Sequence, residues 1–131
     1  MNFNVLYSNY GGTATIDAQG NGPIFTIENG VTVTLQNLIL ENGKANNVVN
    51  TAFGGAIENE CENGLLTVKN CTFEDNTANS SGCGYGGAID SSEGSLNVYD
   101  STFISNTATT NGGAIYATGW LYTVTELHFR R

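Results

Sequence analysis

The sequence predicts an all-β fold, a right-handed parallel β-helix of about four coils, and three observations predict it. The tetrapeptide Gly-Gly-Ala-Ile occurs three times, as Gly54, Gly55, Ala56, Ile57, as Gly86, Gly87, Ala88, Ile89, and as Gly112, Gly113, Ala114, Ile115. After each copy an apolar-x-apolar pair is followed by a Phe at a constant step of five residues: Val68 to Phe73, Val98 to Phe103, Val124 to Phe129. Successive units are 30 and then 26 residues long, so their length varies only between Phe-x-x-Asn and the next Gly-Gly. Insertions confined to one corner are what a stacked repeat tolerates.

Composition agrees. With 17 Gly, one Pro and many Thr, Asn and Val, propensity favours strands and tight turns. No window carries a sustained apolar period of 3.6 residues, so no helix of consequence is expected. A hydrophobic fraction of 40% suffices for a core and argues against disorder. The chain reads as one repeat segment over residues 1–131.

Taken in order, Met1 to Tyr10 has neither the basic nor the apolar region of a signal peptide. No run approaches the length of a membrane span. Thr13 to Asp17 alternates as a strand, and Ala18 to Pro23 is a turn. Ile24 to Ile27 stands where Gly-Gly-Ala-Ile stands later, with Ile27 matched to Ile57. Val33-Thr34-Leu35 and Leu38-Ile39-Leu40 then match the two later triplets, and Gly43 replaces the Asn of the motif. Each unit thus has three short alternating segments, none long enough for a hairpin with its own core. Winding each unit once around an axis stacks these segments into three parallel sheets with apolar slots inward. Crossovers between parallel strands are right-handed almost without exception. The inward ladders are then Ile27/Ile57/Ile89/Ile115, Leu35/Val68/Val98/Val124 and Leu40/Phe73/Phe103/Phe129. A β-sandwich is the alternative fold, but it leaves the constant step of five unexplained.

Both motifs have structural work to do. The paired glycines can take positive φ at a corner, and the Ala leaves room between adjacent coils. Asn76 and Asn106 fall at a sharp corner, where Asn tolerates the left-handed region and its amide can bond turn backbone or the next Asn.

Tandem Gly-Gly-Ala-Ile and Phe-x-x-Asn motifs, the latter at Phe73 to Asn76 and Phe103 to Asn106, resemble the repeats of chlamydial polymorphic outer membrane proteins. The stretch from Ile16 to Gly43 is similar to β-helical repeats of adhesin-like surface proteins of bacteria and methanogenic archaea. The resemblance covers about residues 13 to 129. It implies a cell-surface or extracellular, non-enzymatic passenger segment that binds host or neighbouring-cell surfaces, with a surface glycan or protein as partner. It also implies a slice of a longer protein. The end at Phe129-Arg130-Arg131 and the lack of polar caps agree, and predict exposed edges that associate end to end.

A net charge of −8, with only Lys44, Lys69, Arg130 and Arg131 basic, excludes a nucleic-acid partner, because such affinity comes from cations on phosphates. The odd cysteine count of Cys61, Cys71 and Cys83 indicates no disulfide framework. Cys71 takes the inward slot of Leu38, Ser101 and Leu127, whereas Cys61 and Cys83 lie in turns that could meet. No cofactor or metal is called for. Glu58, Glu60 and Glu62 alternate and could offer oxygens to Ca²⁺, yet they also read as a solvated face.

The competing reading is a fragment of a β-helical polysaccharide lyase or glycoside hydrolase. That chemistry needs paired carboxylates, or a base beside a cation. The acidic pairs Glu74/Asp75 and Asp90/Glu93 flank turns, Lys69 is the one basic residue inside the well-formed repeats, and His128 lies at the frayed end. No catalytic residue is assigned. Binding is expected on the two long corners, Gly43 to Phe53 and Thr77 to Tyr85, with Asn46, Asn47, Phe53, Asn79 and Tyr85 as candidate contacts. Tyr116 and Trp120 join Tyr85 as sugar-stacking candidates.

Overall fold

The computed structural model describes residues 4–8, 12–45, 51–119 and 122–131; for residues 4–8 and Tyr122 the backbone alone is described. Among the described residues every regular element is a strand and every strand pair is parallel. β1 (Asn4–Ser8) and β2 (Ala14–Asp17) make a partial turn. β3 (Phe25–Ile27), β4 (Thr32–Gln36), β5 (Leu38–Glu41) and β6 (Thr51–Phe53) follow. The next turn holds β7 (Ile57–Asn59), β8 (Leu65–Lys69), β9 (Thr72–Glu74), β10 (Thr77–Ala78) and β11 (Cys83–Tyr85). After it come β12 (Ile89–Ser91), β13 (Ser95–Tyr99), β14 (Thr102–Ile104) and β15 (Thr107–Ala108). A last turn has β16 (Ile115–Ala117), β17 (Tyr122–Thr125) and β18 (His128–Arg130).

These strands stack into three long sheets, ordered β1-β4-β8-β13-β17, β18-β14-β9-β5-β2 and β16-β12-β7-β3. The result is a parallel β-solenoid of about three turns flanked by partial ones. Inside it, Leu35, Val68 and Val98 share one register column, and Leu40, Phe73 and Phe103 share another, all essentially without solvent contact. The Phe73 and Phe103 rings lie 4.9 Å apart and 3° from parallel, and Phe129 extends the stack at 5.4 Å. Fully burying one such side chain stabilises by about 1.5–3 kcal/mol, so the columns hold the coil. Toward the last turn the columns emerge, with Val124 43% and Phe129 60% exposed.

The first unit sits in a different register from the one its spacing suggested. Phe25, not Ile27, pairs with Ile57, and Ile27 pairs with Asn59. A shift of two residues keeps the same side chains inward, so alternation alone could not decide it. The column that includes Ile27 continues as Asn59, Ser91 and Ala117 and is polar at its centre. Asn59 Nδ2 donates to Ser91 Oγ at 2.9 Å, and Ser91 Oγ donates to the Gly94 carbonyl at 3.1 Å. Among the described residues no buried side-chain polar atom lacks a partner.

The motif residues divide their labour more finely than expected. Only the first glycine of each pair has positive φ: Gly54 at 60°, Gly86 at 64° and Gly112 at 65°. A Cβ on Gly54 or Gly86 would also fall on a carbonyl of its own coil, that of Ile57 or Ile89, whereas Gly55 and Gly87 are pressed against the next coil, where a Cβ would fall on the carbonyl oxygens of Gly87 and Gly113. The left-handed residue at the Phe-x-x-Asn corner is likewise Asp75 or Ser105, the residue before the Asn. That frees the buried Asn76 to join coils. Its Nδ2 donates to the Leu40 carbonyl at 3.0 Å, its Oδ1 accepts from Gly43 N–H at 2.8 Å, and its own N–H donates to Asn106 Oδ1 at 3.0 Å.

Each turn but the last also has more than three segments among the described residues. The long corners are themselves paired: β10 with β15, β11 with β6, and single bridges Lys44–Thr77 and Tyr85–Asn111. Under them Ala45, Ala52 and Ala78 form a small second core with Ala108. All three cysteines are free thiols. Cys61 is buried with its thiol donating to the Val31 carbonyl at 2.6 Å, so it does not meet Cys83. Cys71 fills the predicted inward slot, where its backbone N–H donates to Ser101 Oγ at 3.2 Å.

Candidate functional site

The corner that leads into Gly-Gly-Ala-Ile presents an aromatic row. In β6 and β11 the central residues Ala52 and Gly84 point inward, which turns Phe53 and Tyr85 outward as register partners. Their rings stack at 5.8 Å and 12°. The following unit has Asn111 in this slot, and the row continues by another route. Tyr116, on β16, lays its ring 4.8 Å from Tyr85 at 38°. All three rings are half-buried, and none belongs to the solenoid core. The phenol of Tyr85 is pushed above its ordinary range, first by its contact with Cys83.

Beside the row runs a column of carboxylates. Register pairs Thr26 with Glu58, Glu58 with Asp90, and Asp90 with Tyr116 on one sheet. Neighbouring parallel strands lie about 4.8 Å apart, so Glu58 and Asp90 are held close together by the backbone itself. Phe53 forms one wall of a cleft of about 70 Å³ whose other lining side chains include Glu58, Glu60, Asp90, Ser92 and Glu93. Burial raises the Glu58 carboxyl to about 7, helped by the charges of Glu60 and Asp90. Burial also raises Asp90 to about 6, although the Ser92 hydroxyl donates to it at 2.8 Å. Among the described residues no lysine, arginine or histidine lines this cleft.

The sequence-selected residues fall into several places. Phe53 and Tyr85 come together. Asn79 lies on the exposed corner after β10, accepting from Thr109 Oγ1 at 3.3 Å. Asn46, Asn47 and Trp120 lie outside the described residues. Of the alternating acids, Glu58 and Glu60 enter the cleft, whereas Glu62 sits on the next turn with its N–H donating to Asn29 Oδ1. Among the described residues no three His, Cys, Asp or Glu side chains are grouped to hold a metal ion. Glu74 stacks on Glu41 in another sheet, apart from the cleft. Sequence reasoning missed the joining of Glu58 with Asp90. Their separation of 32 residues, equal to that of Ile57 and Ile89, was the available signal.

Among the described residues no helix is long and apolar enough to cross a membrane, a statement that concerns helices alone. Residues 70–92 and 100–118, about a third of the chain, match the family described as the Chlamydia polymorphic membrane protein repeat. No curated protein and no solved structure matches the chain. The first matched stretch contains Phe73 to Asn76 and Gly86 to Ile89, the second Phe103 to Asn106 and Gly112 to Ile115, so both motifs are inside each. Two successive stretches of the chain, wound as successive turns of a parallel β-solenoid, are thus each similar to the Chlamydia polymorphic membrane protein repeat.

Proposed function

We propose that this segment is a non-catalytic scaffold within a surface-displayed, adhesin-like protein, and that it meets host or neighbouring-cell surfaces through the corner bearing Phe53 and Tyr85. The observation that carries the reading is the division of labour in the repeat. The motif residues match a membrane-protein repeat and are spent on building coils, while the aromatic row has no part in the core. Large half-exposed aromatics outside a core are typical of contact surfaces. A solenoid multiplies such a surface along its axis. The test is cell-surface and glycan-array binding by the purified chain beside a Phe53→Ser/Tyr85→Ser variant with unchanged circular dichroism. Binding by the parent and at least a tenfold loss in the variant is the expected result. A folded parent that binds no surface would overturn the adhesion reading and leave scaffolding alone.

One observation favours a second reading. Two neighbouring carboxyls with raised pKa values, Glu58 and Asp90, are what an acid-base or glycosidic mechanism uses. Such a site also needs a water-excluding pocket that holds a sugar, and this cleft is small and open at the sheet surface. We expect no reducing ends to be released from acidic or neutral polysaccharides between pH 4 and 8. Release that disappears in Glu58→Gln would establish the enzymatic reading instead.

A further inference from the structure

We propose that the aromatic row and the carboxylates beside it form a docking strip for a cationic segment of a partner protein, an arginine or lysine head seating against Phe53 and pairing with Glu58 and Asp90. The proposal rests on the surface-binding reading above and names the chemistry of the ligand.

Three observations carry it. The rings of Phe53, Tyr85 and Tyr116 make a continuous face although the repeat does not demand it, since Asn111 breaks the aromatic slot and Tyr116 comes from a different strand to restore the row. Cations are attracted to ring faces by about 0.5–2 kcal/mol, more when water is displaced. The charge beside the rings is one-sided: Glu58, Glu60, Asp90 and Glu93 line the cleft with no basic residue among them. Glu58 and Asp90 are register partners, Asp90 buried beneath the cleft and Glu58 half-buried at it, so lost solvation is the main cost of their charge and an incoming cation offsets it. The space also suits a cation. A cleft of about 70 Å³ is several times the roughly 10–15 Å³ that one water needs, which leaves room for a guanidinium or ammonium head. The strip is thus complementary in sign and size to an arginine- or lysine-bearing chain laid along the solenoid axis.

The experiment uses the whole chain, at pH 8 and low salt, with N-acetylated and C-amidated tetra-arginine as the probe and chitotetraose as the comparison. Amide shifts by NMR locate binding, and calorimetry measures it. The expected result is saturable binding of the arginine peptide with shifts at Phe53, Glu58, Tyr85, Asp90 and Tyr116. The dissociation constant should rise at least tenfold in Glu58→Gln/Asp90→Asn and in Phe53→Ser/Tyr85→Ser. Glu41→Gln/Glu74→Gln removes the same charge from stacked register partners on another sheet and should change it less than twofold. Equal weakening in that control would reduce the effect to diffuse attraction by an acidic protein and overturn the proposal. So would preferential binding of chitotetraose, or no saturable arginine binding by a folded chain. Cell binding that tetra-arginine does not compete would leave adhesion standing and sink the cationic strip. Arginine binding at the strip by a chain that adheres to no surface would do the reverse.

Discussion

At the scale of single residues, the repeat works by giving adjacent positions different jobs. Gly86 turns the chain with a φ of 64°, while Gly87 leaves space for the next coil. The two should fail on Ala substitution for different reasons. Gly86→Ala forces a side chain into the left-handed region, at about 1–2 kcal/mol, and also drives its methyl group onto the Ile89 carbonyl of the same coil. Gly87→Ala puts a methyl group onto the backbone carbonyl of Gly113 in the next coil, which cannot move without opening the coil, so each variant should lose about 3 kcal/mol. Asn76→Ala deprives the Leu40 carbonyl and the Gly43 N–H of buried partners and should cost about 2–4 kcal/mol. Urea unfolding of the three variants checks these losses. A loss under about 1 kcal/mol for either glycine variant would contradict the tight packing of the corner.

At the scale of elements, the parts of the solenoid legible in the sequence were those with an invariant step. The five-residue interval fixed the columns of Val68 and Val98 and of Phe73 and Phe103 because a strand, a two-residue corner and a second strand cannot stretch. The register of β3 was not legible from alternation, because slips of two preserve parity; the 32-residue interval from Ile57 to Ile89 marked the correct partner, Phe25. The corners were read as loops since their lengths differ, yet Thr77-Ala78 and Thr107-Ala108 follow the two Phe-x-x-Asn motifs directly and pair as β10 and β15. Their inward Ala residues belong to a core too small to leave an apolar run. The aromatic row was half legible. Phe53 and Tyr85 precede successive Gly-Gly pairs, whereas Tyr116 reaches the row from a different column. If the small core ties the corner to the solenoid, Ala78→Asp should open β10 and β11 while leaving β8 and β9 closed. Hydrogen exchange measures this as faster exchange of Ala45 N–H, which donates to the Thr77 carbonyl, with Asn70 N–H unchanged.

At the scale of the whole molecule, the carboxylates make stability depend on pH in a direction opposite to that of most proteins. Glu58 and Asp90 titrate near 7 and 6 in the fold, above ordinary values of 4.5 and 3.8. Between those limits the folded chain holds protons that the unfolded chain has released, so stability falls as pH rises from about 4.5 to about 7.5. Asp17 opposes this at the acid end, because hydrogen bonds from Asn42 and Gln19 lower its pKa, and that contribution is lost only as pH falls below its ordinary 3.8. The rest of the surface adds the same sign, since a chain of net charge −8 repels itself more as further carboxyls ionise. For the Glu58 and Asp90 pair, allowing for solvent screening of the more exposed Glu58, the change is on the order of 1–2 kcal/mol, roughly 4–8 °C in melting temperature. Melts at pH 5 and pH 8 should therefore differ by that much, the protein being more stable in acid. In Glu58→Gln/Asp90→Asn the difference should shrink by more than half, through a gain at pH 8 rather than a loss at pH 5. An unchanged difference would place the pH dependence in diffuse surface charge and remove the argument that burial in the fold raises these two carboxyls. A gain at pH 8 in the same variant that no longer binds tetra-arginine would mean that the strip trades stability for charge.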